Sequence, residues 1–295
     1  MYKVCANQNM KMNSQTISKL AGVGALVIAA GLVQSSSGAV VTLDLLTAGS
    51  TAAGPSGSFF KQVATGAGTG NWDPFLSLDS KKGILQGYNT DANASAGSPD
   101  IVTGGGRTHS VTFGQLRYTT VGGIDFVRFS LDINEPGNPP EQYLALNDFR
   151  IFAPVGPGFA NYSGSVAGLG TPLYNMDTVG NDRTVLMDYS LQSGSGVSDM
   201  ELFVPLSLFG SLAADRSIVV YTRIGDGAGI TGYPGISAWG ADAGGFEEWR
   251  LSTTDKPVAV PEASTYVMAA GLIGGLGIVE VRRRRSQKSA VAAQA

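Results

Sequence analysis

The sequence is poor in the residues from which many catalytic and metal sites are built. Of its 295 residues, one is cysteine (Cys5) and one is histidine (His109). Because Cys5 is the only cysteine, the chain has no internal disulfide, and the residues that follow it contain no thiol. A lone histidine excludes sites that need two, including the usual zinc hydrolase sites. We interpret His109, at the start of a predicted strand, as a surface or hydrogen-bonded side chain.

Recognisable catalytic motifs are absent as well. The chain has no G-x-S-x-G nucleophile elbow and no G-x-x-x-x-G-K-S/T phosphate loop. Folding could still pair two carboxylates for glycoside hydrolysis. Glu247 and Glu248 are the clearest pair, although neighbours on a strand face opposite ways. We predict that the protein is not an enzyme, and we keep a carboxylate-dependent carbohydrate-active hydrolase as an alternative.

Charge is distributed unevenly along the chain. Residues 40–259 carry 12 Lys and Arg against 21 Asp and Glu, a net charge of −9, whereas the two ends hold the other 8 basic residues. This acidic body argues against nucleic acid as a partner, because binding to phosphates depends on clustered Lys and Arg.

The carboxyl end joins a short apolar stretch to a cluster of arginines. Residues 266–279 are apolar, Glu280 and Val281 follow, and four consecutive arginines occupy positions 282–285. A membrane-spanning helix needs about 20 apolar residues, so this span is marginal. Four arginines are too costly to bury, which argues against a core helix, and they mark a cytoplasmic side. We predict a temporary membrane anchor whose amino-terminal side lies outside.

The order of Pro-Glu, apolar segment and arginine cluster resembles the PEP-CTERM sorting signal of Gram-negative bacteria. Residues 260–285 carry the match, and Ala263 stands where the family has a second proline. The resemblance implies cleavage near Pro261 by a membrane-embedded protease of the exosortase type, slower than with proline at position 263. It also implies release to the cell surface or extracellular matrix, and residues 286–295 remain as a cytoplasmic tail. The sorting residues are Val260, Pro261, Glu262, Ala263, Arg282, Arg283, Arg284 and Arg285.

The amino terminus has the three parts of a signal peptide. Three lysines form a basic leader, residues 20–33 form an apolar core, and Ser37 and Ala39 are small residues at the positions that a signal peptidase inspects. We predict that residues 1–39 are a signal peptide cleaved after Ala39, and that the Sec machinery exports the chain. A retained membrane anchor is the alternative.

The body between the two signals, residues 40–259, contains short β-branched and aromatic runs separated by Gly, Asn, Asp, Ser and Pro. Residues 126–133 alternate between apolar and polar side chains, which predicts a half-buried strand. We predict one all-β domain, an antiparallel β-sandwich of the jelly-roll or immunoglobulin-like kind, flanked by an N-terminal signal helix and a C-terminal membrane-anchor helix. The predicted strands are 40–46, 83–87, 109–113, 126–133, 143–152, 184–191, 200–204 and 217–223.

Other segments of the body are expected to be irregular. Residues 47–58 and 65–70 are predicted linkers or mobile loops, residues 205–210 a helical turn, and residues 252–260 a polar tether that exposes the sorting signal. Several body motifs are similar to elements of an uncharacterised group of exported PEP-CTERM proteins, and the resemblance brings no activity with it. These motifs are 68–75, 86–91, 131–136, 144–152 and 245–249.

Calcium is the metal that the sequence suits best. Asp132, Asn134 and Glu135 place hard oxygen ligands at the end of a predicted strand, and Asp148 is a further candidate. Turn-forming, solvated side chains are the competing interpretation, because the EF-hand loop is absent. We therefore predict no cofactor, and a calcium-stabilised lectin-like module is an alternative.

Aromatic side chains suggest a polysaccharide partner, because they stack on the faces of sugar rings. Trp72 and Trp239 lie in Gly-rich loops and are predicted to be exposed; Tyr233 is a further candidate, and Trp249 is predicted to lie in the core. We expect a structural or binding role in the exopolysaccharide layer of a biofilm.

Overall fold

The described part of the chain is all-β, as predicted. The computed structural model describes residues 39–63, 72–79, 83–92, 100–154, 166–240 and 244–258. These ranges contain strands and short 3-10 turns. No helix within them is long and apolar enough to cross a membrane.

The strands form two sheets. In the first sheet are β1 (Ala39–Asp44), β5 (Leu85–Tyr88), β6 (Val111–Thr112), β9 (Tyr143–Phe152), β10 (Tyr174–Asn175), β11 (Asn181–Asp188) and β13 (Ser217–Ile224). In the second sheet are β2 (Thr51–Ala53), β3 (Phe59–Gln62), β4 (Leu76–Leu78), β7 (Arg117–Val121), β8 (Ile124–Asp132), β12 (Met200–Pro205), β14 (Glu247–Leu251) and β15 (Lys256–Pro257).

Strand order places β9 and β8 at the centres of their sheets. The first sheet runs β1-β11-β9-β13-β5, with β10 on β9 and β6 on β13. The second runs β15-β7-β8-β12-β3-β2. β7 and β14 both pair with the side of β8 that faces away from β12, β7 with its first half and β14 with its second half, and β4 pairs with β14. β1 pairs with β11 in parallel, which departs from the predicted antiparallel arrangement, and the other described pairs are antiparallel.

The core lies between the two sheets. Phe149 of the first sheet packs against two residues of the second, with its ring centre 5.6 Å from that of Phe129 and 4.7 Å from that of Trp249. Val127, Phe129 and Leu131 all point inward from β8 and are completely buried, as predicted. The strand is not half-buried, however, because Phe126, Ser130 and Asp132 on its opposite face are buried as well. Burial of this apolar surface, at about 25 cal/mol per Å², is the main stabilising contribution.

A loop covers the outer face of the first sheet. Trp239 in this loop packs with Ala145 of β9 and Leu186 of β11, and all three are buried. As a result β9 is buried on both faces along most of its length, because the core covers one face and the loop covers the other.

Each of the eight predicted strands overlaps an observed strand. The other strands of the described ranges are additions to the predicted set: β2 and β15 lie in segments predicted to be irregular, whereas β3, β4, β7, β10 and β14 do not. Residues 47–58 contain the edge strand β2. The predicted tether, residues 252–260, contains β15, and the next residue, Val258, is buried with 6% exposure. Small or polar residues give such segments little periodicity, so the partner strands β3 and β7 determine their conformation. The predicted turn at 205–210 is confirmed as a 3-10 turn, and residues 65–70 lie outside the described residues.

Candidate functional site

The register between β8 and β14 decides which acidic side chains meet. Glu248 lies opposite Asp132, and Trp249 lies opposite Leu131. Opposed residues of an antiparallel pair project from the same face, so Asp132 and Glu248 share the outer face of the second sheet. Glu247 projects inward with Trp249 and is completely buried. The neighbouring glutamates face opposite ways, as predicted.

A cavity of about 470 Å³, which we call the outer cleft, opens beside Glu248. Glu248 reaches the cleft, whereas Asp132 is completely buried. The residues that line the outer cleft include Trp72, Asp73, Arg107, Asn134, Phe246 and Glu248. The cleft therefore combines two aromatic side chains, two carboxyl groups, an amide and a guanidinium.

Arg107 links the apolar and acidic parts of the outer cleft. Its guanidinium lies 4.2 Å from the ring centre of Phe246, and its Nη1 lies 3.4 Å from Oε1 of Glu248. The Ser77 hydroxyl donates to the same Glu248 oxygen at 3.0 Å. Burial raises the pKa of Glu248, and the Ser77 bond and the Arg107 charge oppose that rise. These contacts hold one carboxyl oxygen of Glu248 in place.

Trp72 forms a second aromatic wall. The guanidinium of Arg250 lies 3.9 Å from the centre of its ring, which is a cation–π distance. The indole Nε1 of Trp72 is buried and has no hydrogen-bond partner within the described part of the chain.

Four buried carboxyl side chains lie next to the outer cleft, and we call them the acidic cluster: Asp132, Glu135, Asp199 and Glu247. None of them is more than 5% exposed. Asp132 ends β8, Glu135 follows it, Asp199 precedes β12 and Glu247 starts β14. The cluster therefore depends on three chain segments that are distant in sequence.

Backbone amides bind one oxygen on each of three cluster members. The bonds are Gly196 N to Asp132 Oδ2 at 2.8 Å, Ile133 N to Asp199 Oδ2 at 2.7 Å, and Asn134 N to Glu247 Oε2 at 3.1 Å. Oδ1 of Asp199 is buried without a hydrogen-bond partner among the described residues, whereas the side chains of Asn134 and Glu135 interact with Asp132 and Glu247. A buried polar atom without a partner costs about 1–3 kcal/mol, and more when charged.

Burial and mutual repulsion favour the protonated forms of the cluster. Burial raises the pKa of Asp132 to about 7, and the Glu248 charge adds to this. Burial likewise raises the pKa of Asp199 to about 9, with a further rise from Asp132. The pKa of Glu247 lies well above its ordinary value because of burial and the neighbouring Glu135. Asp199 therefore retains its proton near neutral pH, and Asp132 is partly protonated there.

A glycine allows the segments of the cluster to meet. A Cβ atom at Gly244 would lie 1.8 Å from the carbonyl oxygen of Asn134 and 2.6 Å from Cα of Glu135. The neighbouring Gly245 N–H donates to the same carbonyl at 2.5 Å. Close backbone approach at this point brings Glu247 beside Glu135.

The predicted calcium ligands are only partly brought together. Asp132, Asn134 and Glu135 lie at the same end of the second sheet, as their sequence proximity requires. Asp148 lies on β9 in the first sheet, where Arg150 Nε donates to its Oδ1 at 2.9 Å. Asp148 is therefore not part of the group. Within the described ranges, no three acidic, histidine or cysteine side chains converge closely enough to hold a metal ion as they stand.

The aromatic predictions have mixed outcomes. Trp249 is completely buried in the core, as predicted, and Trp72 lines the outer cleft. The exposure predicted for Trp239 is wrong, because Tyr143 and Tyr233 pack against its ring and leave it 7% exposed. Gly-rich surroundings indicated a loop correctly, but this loop folds back over the sheet.

Four site residues escaped the sequence-based prediction: Asp73, Arg107, Asp199 and Phe246. Asp73 and Phe246 carry a sequence signal, because they lie in the motifs 68–75 and 245–249. Three of the sequence motifs meet at the site: 245–249, 131–136 and residues 72–74 of the motif 68–75. Arg107 and Asp199 reach it through long-range packing that leaves no local pattern.

The remaining predicted residues lie away from the site or outside the described residues. His109 is half-buried, and its Nδ1 lies 3.0 Å from the carbonyl oxygen of Gly106, so the hydrogen-bonded interpretation is confirmed. Ala39 is the first residue of β1, whereas Ser37 and the sorting residues 260–285 lie outside the described residues. Comparison of the chain with models of protein families, with curated protein sequences and with solved structures found no match.

Proposed function

We propose that this protein binds a polysaccharide of the extracellular matrix through the outer cleft. The observation that carries the proposal is the combination of Trp72 and Phe246 with Arg107 and Glu248 around one cavity of about 470 Å³. Aromatic faces suit the apolar faces of sugar rings, and the fixed carboxyl and guanidinium groups suit their hydroxyls. The ion pair between Arg107 and Glu248 lowers the net charge of the cleft, which favours a neutral polymer.

The location of this activity follows from the two ends of the chain. We propose export through the inner membrane, a pause with the anchor inserted, cleavage by an exosortase-type protease, and residence at the cell surface or in the biofilm matrix. The PEP-CTERM resemblance of residues 260–285 and the signal-peptide pattern of residues 1–39 support this. We also propose that the two packed sheets form a sandwich of the jelly-roll or immunoglobulin-like kind, flanked by signal and anchor helices; the sheets support the sandwich, and the sequence patterns of the two ends support the helices.

Affinity electrophoresis tests the binding role. The full chain should be retarded in gels that contain a soluble neutral polysaccharide, with β-glucan, galactomannan and dextran as the probes. Trp72→Ala should bind about tenfold more weakly or worse, since about 1.4 kcal/mol corresponds to tenfold in affinity. Tyr221→Ala removes a half-buried aromatic residue from the first sheet and should bind like the native chain. Equal mobility of the native chain and Trp72→Ala in all three gels would contradict the proposal.

A hydrolase is the second candidate, because Glu248 and Asp73 both line the outer cleft. Glycoside hydrolysis uses two carboxyl groups about 5–10 Å apart. Release of reducing ends from the same polysaccharides by the native chain, but not by Glu248→Gln, would establish this alternative. Retardation without release of reducing ends would support binding alone.

A further inference from the structure

A second cavity, of about 250 Å³, adjoins the outer cleft. Val111 of β6 in the first sheet and Leu251 of β14 in the second sheet both line it. It therefore lies at an edge of the sandwich, and we call it the edge cleft. Asp73, which is exposed, lines the edge cleft and the outer cleft alike. The two cavities are thus neighbours that share one residue.

Two chain segments pass the outer cleft and the edge cleft in the same order. Arg107 lines the outer cleft, and His109, two residues further on, lines the edge cleft. Glu248 of β14 lines the outer cleft, and Leu251 at the end of the same strand lines the edge cleft. Three steps along an extended strand span about 10 Å. The two cavities are therefore consecutive parts of one groove, and a ligand that fills both must be an extended molecule.

Backbone hydrogen bonds fix the segment that separates the two cavities. The Phe75 N–H donates to the carbonyl oxygen of Trp249 at 2.9 Å, and the His109 N–H donates to that of Phe75 at 3.0 Å. Phe75 is 2% exposed, and its ring centre lies 6.4 Å from that of Phe129 in the core. The shared wall is thus anchored in the fold. Little ordering is then needed on binding, which lowers its entropic cost.

The edge cleft offers hydrogen-bonding groups of several kinds. Its lining includes the carboxyl group of Asp73, the amide of Gln115, the guanidinium of Arg117 and the hydroxyl of Thr253, which together can donate to and accept from sugar hydroxyls. Arg117 donates from Nη1 to the carbonyl oxygen of Leu116 at 3.4 Å and forms no ion pair among the described residues. A guanidinium has five N–H donors, so Arg117 can also bind a ligand.

We propose that the outer cleft and the edge cleft together bind one continuous stretch of a linear polysaccharide, which crosses Asp73. This inference rests on the proposed binding at the outer cleft, and it specifies the ligand as several consecutive sugars of one chain. The aromatic residues of the outer cleft stack on the sugar rings at one end of this stretch. The polar groups of the edge cleft bind the hydroxyls at the other end. Affinity therefore depends on chain length, because a short oligomer reaches only one of the two cavities.

Isothermal titration calorimetry of the full chain with oligomers of increasing length tests the proposal. The probes are oligomers of β-glucan, galactomannan and dextran, from disaccharides to octasaccharides. Kd should fall by about tenfold or more between the shortest and the longest oligomer of the polymer that binds, which corresponds to about 1.4 kcal/mol. Equal Kd values at all lengths would overturn this inference and leave binding at the outer cleft in place. No binding of any oligomer or polymer would instead contradict the proposed function, and this inference with it.

Variants of the edge cleft separate a longer contact from a merely statistical gain with length. Arg117→Ala should raise Kd for the longest oligomer by about tenfold and remove most of the length dependence. Thr253→Ala, at an exposed position of the same cleft, should act in the same direction. Arg216→Ala is the matched control: Arg216 is also half-buried, donates from Nη1 to the carbonyl oxygen of Pro154 at 3.2 Å and lines neither cleft, so its loss should leave Kd unchanged. A length dependence that persists in both Arg117→Ala and Thr253→Ala would overturn the proposal.

Discussion

Raising the pH in the presence of EDTA should weaken the fold, because the acidic cluster retains its protons in the folded chain. Burial raises the pKa of Asp132 from 3.8 to about 7 and that of Asp199 from 3.8 to about 9. Above about pH 4 the unfolded chain loses these protons while the folded chain keeps them. Stability therefore falls with rising pH until the pH reaches each folded-state pKa.

The magnitude follows from the same values. Between its unfolded-state pKa and its folded-state pKa, one such group lowers the free energy of unfolding by about 1.4 kcal/mol for each pH unit of increase. Between pH 5 and pH 7, Asp132 and Asp199 together should lower the free energy of unfolding by about 2–5 kcal/mol. The decrease should be smaller than the sum of two independent groups, because the two carboxyl groups interact. Glu247 acts in the same direction, while the Gly196 hydrogen bond and the Arg250 charge oppose the rise at Asp132.

Urea unfolding of the full chain, followed by tryptophan fluorescence at pH 5, 6, 7 and 8 in EDTA, measures this slope. In Asp199→Asn, the free energy of unfolding should fall with pH less steeply than in the native chain, by about 1.4 kcal/mol per pH unit. Glu141→Gln replaces an exposed acidic residue and should retain it. A free energy of unfolding that stays constant or increases between pH 5 and pH 8 would refute the reasoning.

Two further predictions concern the body and its close backbone contact. Residues 40–259, expressed without either signal, should fold as a soluble β-rich monomer, because this segment has no long apolar run and a net charge of −9; a circular dichroism spectrum dominated by helix would contradict this. Gly244→Ala should lower the free energy of unfolding by about 1–3 kcal/mol, because the added Cβ meets the Asn134 carbonyl oxygen at 1.8 Å. Urea unfolding measures this change. Gly104→Ala is the control, because no atom lies within 4 Å of its added Cβ, and it should change the free energy of unfolding by less than about 0.5 kcal/mol.

The sequence predicts the strands whose own residues specify them. Residues 126–133 alternate apolar and polar side chains, and β8 buries the predicted set against the other sheet. β2 and β15 carry no such pattern, because short edge strands of small or polar residues take their conformation from a neighbour. The parallel pairing of β1 with β11 is likewise a property of the whole fold, which local periodicity does not encode.

The candidate site is predictable only where its residues are close in sequence. Asp132, Asn134 and Glu135 meet because they share one strand end. Asp199 joins them from a segment more than sixty residues away, and no local signal distinguishes it from Asp148. A buried carboxyl group looks the same in sequence as a solvated one, so the acidic cluster emerges only from the folded chain.

The claim that underlies the whole account is that this protein works outside the cell after removal of its sorting signal. Mass spectrometry of the carboxyl terminus of the exported protein tests it directly. We predict a mature chain that ends near Pro261 and Glu262, and slower or failed processing of Glu262→Ala. An exported protein that still carries Arg282, Arg283, Arg284 and Arg285 would contradict the account.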